Sequence, residues 1–231
     1  MGPFDTSMIK KAKDKDLVEI NVHDLRDWAT DKHKSVDDRP YGGGPGMVLM
    51  IEPIERALKD LRTKNTKVIL TSPQGKTYNQ AKARGLSKQK HIIILAGHYE
   101  GFDERVREHL VDEEISIGKY ILTGGEIPAM VIVDSVVRLV PGVLEEEASS
   151  KESFSDGETF DYPVYTRPSE YNGWSVPEVL LTGDHKKIEE WRTQKAEEKT
   201  KLRKGTSRLY PKLKDPHHQG ATKLSDIPHK I

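Results

Sequence analysis

The sequence has 231 residues, 32% charged and 35% hydrophobic, with no cysteine and a formal net charge of zero. Zero cysteines exclude a disulfide framework, thiol catalysis and thiolate metal sites, and no apolar run approaches the roughly 18 residues that span a bilayer. No charged segment followed by an apolar one marks an export signal, so a soluble cytoplasmic protein is expected, of one domain or one plus a small appendage. Charge is unevenly spread: His185 to Ile231 carries 13 Lys and Arg against 6 Asp and Glu, a net of +7, which leaves Met1 to Asp184 with 24 against 31, a net of −7. An acidic body with a basic tail suggests that the tail, not the body, meets a polyanion; the alternative is a Lys-rich tail that is merely solvated.

In chain order, Thr6 to Lys15 reads as a short helix and Leu17 to Val22 as a strand. The stretch "DRPYGGGPGM" (Asp38 to Met47) strings four glycines and two prolines together. Bare backbone in that quantity implies that something comes very close: a phosphate, a cofactor or only the neighbouring chain. "PIERALKDLR" (Pro53 to Arg62) has Pro in its first turn and Ile54, Leu58 and Leu61 at helical spacing. Lys67 to Leu70 is a buried-type strand ended by "TSPQG", and Tyr78 to Ser87 is helical. His91 to Leu95 is a second such strand ended by "AGHYEG", followed by a helix from Asp103 to Leu110. Ile115 to Leu122 is a third, ended by "TGGE", and Glu126 to Val140 is a helix apolar around its whole circumference. Glu145 to Glu158 is acidic and Ser-rich, the composition of a mobile linker. A turn and a helix from about Asp184 follow, and the last twenty or so residues, with Pro211, Pro216 and Pro228, read as poorly structured.

Strand, glycine-bearing loop and helix in repetition point to an α/β fold with a mostly parallel sheet covered on both faces. In such sheets ligands sit beyond the carboxyl ends of the strands, where "SPQG" (Ser72 to Gly75), "GHYEG" (Gly97 to Gly101) and "TGGE" (Thr123 to Glu126) all fall. Taken singly, each glycine pair is more often a turn; three at neighbouring strand ends are not. The loops lack the G-x-x-x-x-G-K-[ST] phosphate loop, the G-x-G-x-x-G fingerprint and a Gly-x-Ser-x-Gly elbow. No histidine spacing suits a metal, so no metal site is expected, and Mg2+ assistance has no sequence signature. What remains is a ligand read by backbone groups, such as a planar heterocycle and its ribose.

Six strings then occur in a fixed order: "VDDRPYGGGPGMVL" (Val36 to Leu49), "SPQG", "GHYEGFDERV" (Gly97 to Val106), "EISIGKYILTGGEIPAM" (Glu114 to Met130), "RLVPGVL" (Arg138 to Leu144) and "YPVYTRP" (Tyr162 to Pro168). Over about Gly2 to Arg192 the chain resembles the bacterial tRNA (guanine-N1)-methyltransferases of the SPOUT class, which modify the guanine just 3′ of the anticodon, position 37. The resemblance implies a deep trefoil knot at the C-terminal end of the α/β domain, an exception to the rule against threaded chains. It implies three parts: residues 1–144 as the knotted catalytic domain, 145–160 as a flexible linker, and 161–231 as a small helical tRNA-binding domain. S-adenosylmethionine would lie bent in the knot, against Leu70, Ser72, Pro73 and Gly75, then Gly97, Tyr99, Glu100 and Gly101, then Ile117, Gly118, Tyr120, Leu122, Gly124 and Gly125. Asp37, Asp38, Tyr41 and Gly43 would border the target guanine, Asp37 and Asp38 either at its edge or as caps of the loop.

Methyl transfer from a sulfonium to guanine N1 requires removal of the N1 proton and stabilisation of charge on O6, hence a carboxylate and a cation. The family's acid stands in a "D-S-F" string on the linker; here the string is "ESF", so Glu152 takes the place, with Asp161 ("FDYP") in reserve and Arg138 as the cation. The bland alternatives are a solvated linker acid and a helix-face ion pair. The resemblance further implies an intertwined homodimer with a shared active site, and a C-terminal unit that grips the anticodon stem-loop. Relatives carry a strand with an "LFP-x-MF" string before the segment that begins here at Met1-Gly2-Pro3-Phe4, so a truncated N-terminus is expected. A non-enzymatic RNA-binding module and a small-molecule methyltransferase of the same class are the rival functions.

Overall fold

The computed structural model describes residues 2–145, 152–154 and 157–205, without the side chains of 204 and 205; the expectations for most of the linker and for the chain after 205 fall outside these residues. The chain divides into two compact units, Met1–Gly157 and Glu158–Ile231.

The first unit is built on three parallel strands, β3 (Thr66–Thr77), β4 (His91–Leu95) and β5 (Glu113–Ser116), with β3 in the centre. Thr66 to Leu70 of β3 pair in order with His91 to Leu95 of β4. Because side chains alternate along a strand, Val68 and Leu70 enter one core and Ile69 the other. On the first face Val68 and Leu70 meet Ile54 and Leu58 of α2 (Ile51–Leu61) and Val106 of α4 (Glu104–His109). On the second, Ile69 and Ile115 meet Leu86 of α3 (Gln80–Leu86) and Ile132 and Val136 of α5 (Glu126–Val137). Burial on both faces is why these strands read as unbroken apolar runs and not as alternating ones. A third cluster packs Ile9 and Ala12 of α1 (Ser7–Asp14) on Val137 of α5.

Three local expectations are corrected. Leu17 to Val22 forms no strand: Val18 and Ile20 pack against the third cluster, but this stretch has no ladder partner among the described residues. The alternation was therefore a burial signal without a hydrogen-bonding one. The third strand stops at Ser116, and the apolar residues 117–122 belong to turns. The first does not stop at Leu70 but resumes beyond a four-residue excursion to Thr77. The glycine-rich stretch is the loop of a small antiparallel hairpin, with Asp37–Asp38 (β1) on Val48–Leu49 (β2).

The second unit holds a hairpin, Glu170–Tyr171 (β6) with Trp174–Ser175 (β7), and the long helix α6 (His185–Gly205). Asn172 and Gly173 turn the hairpin with φ of 51° and 80°, which an Asn-Gly pair adopts readily. Among the described residues no helix is long and apolar enough to cross a membrane.

Two substitutions of opposite sign test this packing. Ile69→Ala leaves a hole between central strand and helices and should cost about 2–5 kcal/mol. Gly85→Ala, on α3 with nothing within 4 Å of the added carbon, should gain about 0.5–1 kcal/mol. Calorimetry on the two variants should show the thermal midpoint of the first unit falling and rising respectively.

Candidate active site

The strand ends meet at one point. After Thr71 pairs with Ile115, residues Ser72–Gly75 leave the ladder, and Lys76 returns to the same partner. The Ser72 hydroxyl accepts from the Gln74 amide at 2.9 Å, which folds this excursion on itself. Gly75 closes it against β5: a Cβ there would lie 2.5 Å from the Ile115 nitrogen and 2.7 Å from the Glu114 carbonyl. Gly97, buried just after β4, lies under the Phe102 ring. The Gly125 amide donates to the Gly97 carbonyl at 2.7 Å, and a Cβ on Gly125 would sit 2.5 Å from both the Gly97 nitrogen and Thr71 Oγ1. The Thr71 hydroxyl in turn donates to the Leu95 carbonyl at 3.0 Å. So the ends of β3 and β4 and the start of α5 interlock through main chain, at distances only glycine permits.

Above this lock the loops carry their side chains outward. Tyr99 is held at φ 58°, a strained value for a side-chain-bearing residue, and is 56% exposed. Tyr120, beside Gly118, and Leu122 are also exposed. Ile117 is half-buried, and its carbonyl accepts from the Tyr120 hydroxyl at 3.4 Å. His98 bridges to Gly124, and its Nε2 lies 3.4 Å from the Glu126 carboxylate. Half-exposed aromatic rings, bare backbone and the carboxylates of Glu100 and Glu126, with Lys119 the one Lys or Arg in these loops, suit a flat heterocycle that carries positive charge.

The glycine-rich loop lies against the second of these turns. Gly42, Gly43, Gly44 and Gly46 all have positive φ (82°, 80°, 127° and 81°), conformations that glycine adopts without strain. Glu100 covers Gly46, its Cγ only 2.6 Å from where a Cβ would be. The Glu100 amide donates to the Met47 carbonyl at 3.0 Å, and the Leu49 amide to the Gly101 carbonyl at 2.9 Å. What approaches the bare backbone at Gly46 is therefore the neighbouring loop, while the space around Gly42 and Gly43 is open. Tyr41 is fully exposed beside it. Asp37 lies in β1, and Asp38 caps the loop by accepting from the Arg39 amide at 2.7 Å.

Arg138 ends α5 and makes a two-pronged ion pair with Glu152: Nη1 donates to Oε2 at 2.7 Å and Nη2 to Oε1 at 2.5 Å. The hydrogen bonds to Glu152 push the guanidinium's proton affinity above its ordinary value, so Arg138 stays a cation at any working pH. Each side chain is about one-third exposed (32% and 36%), accessible to an arriving ligand. Arg84 of α3 donates from Nη1 to the Phe154 carbonyl at 3.4 Å, so a second arginine holds the segment that carries Glu152. Asp161 belongs to the second unit, where the Lys199 ammonium donates to its carbonyl at 3.2 Å and its carboxylate at 3.3 Å. Sequence reasoning missed Thr71, His98, Glu126 and Arg84. Thr71, the lone hydroxyl closing an apolar run, and Glu126, the only charge in "TGGE", were visible signals; nothing marked Arg84.

The model of the family described as tRNA (Guanine-1)-methyltransferase TrmD matches residues 1–209. The chain is 55% identical over 196 residues to a tRNA (guanine-N(1)-)-methyltransferase of Carboxydothermus hydrogenoformans, covering 84% of this chain and 77% of that one. Proteins of the same name from Dictyoglomus turgidum (53% identical; 88% of this chain, 82% of that one) and Bacillus subtilis (51%; 88% and 85%) are similar in the same way.

The lock yields a sharp expectation. Gly125→Ala forces a methyl into main chain that cannot swing aside, so isothermal titration should show S-adenosylmethionine binding weakened at least tenfold. Gly85→Ala, on α3 in open space, should leave it within about twofold.

Proposed function

The chain belongs to the tRNA (guanine-1)-methyltransferase family and is a tRNA guanine-N1 methyltransferase, and we propose that its target is the guanine just 3′ of the anticodon, position 37. S-adenosylmethionine supplies a methyl group already activated on a sulfonium, which leaves the protein to position the partners and handle one proton. The residues that would hold it are those of the three interlocked loops, 70–75, 97–101 and 117–125. Their exposed rings, open backbone and acidic side chains fit an adenosine joined to a cation.

The observation that carries the chemistry is the Arg138–Glu152 pair. The Watson–Crick edge of guanine offers an acceptor, O6, beside a donor, N1–H. Such an edge can take over both ends of the pair at once: O6 accepts from the Arg138 guanidinium, and N1–H donates to the Glu152 carboxylate. Glu152 then accepts the N1 proton as the methyl arrives, and Arg138 offsets the negative charge left on O6. While paired, the carboxylate is held by the guanidinium, so the proton acceptor is released only when its substrate displaces it. Asp161 remains the reserve base, with a lysine partner of its own in the second unit.

The rest of the reading is also a proposal. The C-terminal part of the α/β domain forms the knot, a reading supported by the three loops meeting at main-chain contact. Residues 1–144 act as the catalytic domain, 145–160 as the linker, and the chain from 161 as a helical tRNA-binding domain. The enzyme works in the cytoplasm as a homodimer that shares its active sites. Support for the dimer lies in α5, whose apolar Ile127 and Val131 are 55% and 42% exposed while Ile132, Val136 and Val137 of the same helix are buried. Asp37 and Asp38 at the base of the hairpin, and Tyr41 and Gly43 in its open loop, border the guanine. The net charge of +7 beyond His185 supports the grip on the anticodon stem-loop.

Glu152→Gln keeps the shape of the pair and removes the base: transfer of labelled methyl to an anticodon stem-loop should fall by 10²-fold or more while donor binding persists. Arg138→Ala should fall as far. Normal turnover in Glu152→Gln, with Asp161→Asn inactive, would move the base to Asp161.

A further inference from the structure

The expectation that only the tail meets a polyanion leaves one segment unexplained. Residues 61–91 contain eight Lys and Arg and no Asp or Glu, inside a body (Met1 to Asp184) whose net charge is −7. Outside that segment the body carries 16 Lys and Arg against 31 Asp and Glu, a net of −15. The fold gathers three of these cations, Lys67, Lys88 and Lys90, in one place. The turn before β3 and the turn before β4 lie side by side at the amino end of the sheet, because Thr66 is paired with His91. Between them is a cleft of about 440 Å³ lined by Asn65, Thr66, Lys67, Lys88, Gln89, Lys90 and the acid Asp112.

Asp112 Oδ2 accepts from the Val68 amide at 2.7 Å, which ties the acid to the strand; its charge remains and is outnumbered by the lysines of the cleft. Lys67 is balanced by Glu113, at 3.5 Å, and Glu113 also takes Lys82 at 2.5 Å. Lys88 and Lys90 differ: both are exposed, and neither has an ion-pair partner among the described residues. Asn65 and Gln89 add neutral polar side chains around them. Two unpaired ammonium groups over a polar floor, in a body that is otherwise acidic, form a place where one class of ligand is attracted and the surrounding surface repels it.

We propose that this cleft at the amino end of the sheet is a second RNA contact, which takes backbone phosphates of the same tRNA whose guanine is methylated at the other end. The proposal rests on the function proposed above and extends it. Four residue steps of β3 separate Thr66 from Leu70, about 13 Å at the strand's rise, with the loops just beyond. That is several nucleotides along an RNA backbone, so the cleft reaches a part of the substrate that is remote from the reacting base. A contact of this kind carries no sequence information; it positions the RNA and adds to its affinity by releasing counterions.

The test uses the full chain and a full-length tRNA transcript. Lys88→Gln/Lys90→Gln should bind the transcript roughly five- to thirtyfold more weakly near 0.1 M salt. The slope of log K against log salt should shrink by about 1.5–2, from the loss of two phosphate contacts. Saturating turnover should be unchanged, since neither lysine touches the reacting atoms. Lys88→Arg/Lys90→Arg should bind as the parent does. Affinity and salt slope equal to the parent's in the glutamine variant would overturn the proposal. Failure of the parent chain to transfer methyl to guanine in the same transcript would instead sink the function on which it rests, and the two failures are read in separate measurements.

Discussion

The Gly125 amide on the Gly97 carbonyl, 2.7 Å long, with the Thr71 hydroxyl beneath it, is the contact on which the site depends. It joins three segments distant in sequence: the end of β3, the end of β4 and the first turn of α5. No side chain fits between them, so the glycines are structural before they are functional. Their placement fixes the adjoining turns on a framework set by the two cores of the sheet, with open space beside Gly101. A ligand recognised through backbone groups needs that rigidity, since main-chain donors and acceptors cannot adjust as side chains do.

From this lock the chemistry follows along α5. The helix begins at Gly125 and ends at Arg138, so the turn that fixes the loops and the cation that grips Glu152 are the two ends of one rigid rod. The proposed base, Glu152, sits on a segment held by two arginines, Arg138 through the carboxylate and Arg84 through the Phe154 carbonyl. In the proposed mechanism this carboxylate stays on its electrostatic partner until the substrate arrives. It becomes available to a group that satisfies cation and carboxylate together. Guanine does so through O6 and N1–H; adenine, with a donor at position 6 and an acceptor at N1, would place like against like. Selectivity for the base and activation of the base are then one event.

Much of the sheet was legible because burial on both faces writes itself as apolar runs: "KVIL" and "HIIIL" became β3 and β4, and the loops after them fell where ligands bind in parallel sheets. Pairing partners were not legible. Leu17 to Val22 alternates like a strand yet finds no ladder, because alternation reports which residues are covered and not which backbone is adjacent. Residues 117–122 were apolar enough to extend β5, but Gly118 at φ 157° bends the chain out of the sheet. The hairpin at Asn172-Gly173 carried its signal openly and was passed over. At the site, the glycines stood out in sequence, whereas Thr71 and His98 matter only through partners 54 and 26 positions away, Gly125 and Gly124, which no local pattern records.

Amide hydrogen exchange, with and without S-adenosylmethionine, probes the central claim most directly: main chain at three interlocked turns is what holds the methyl donor. The account predicts slowed exchange confined to residues 70–75, 97–101 and 117–125, with the rest of the first unit unchanged. Protection that appeared elsewhere, with those amides exchanging at their free rates, would contradict it.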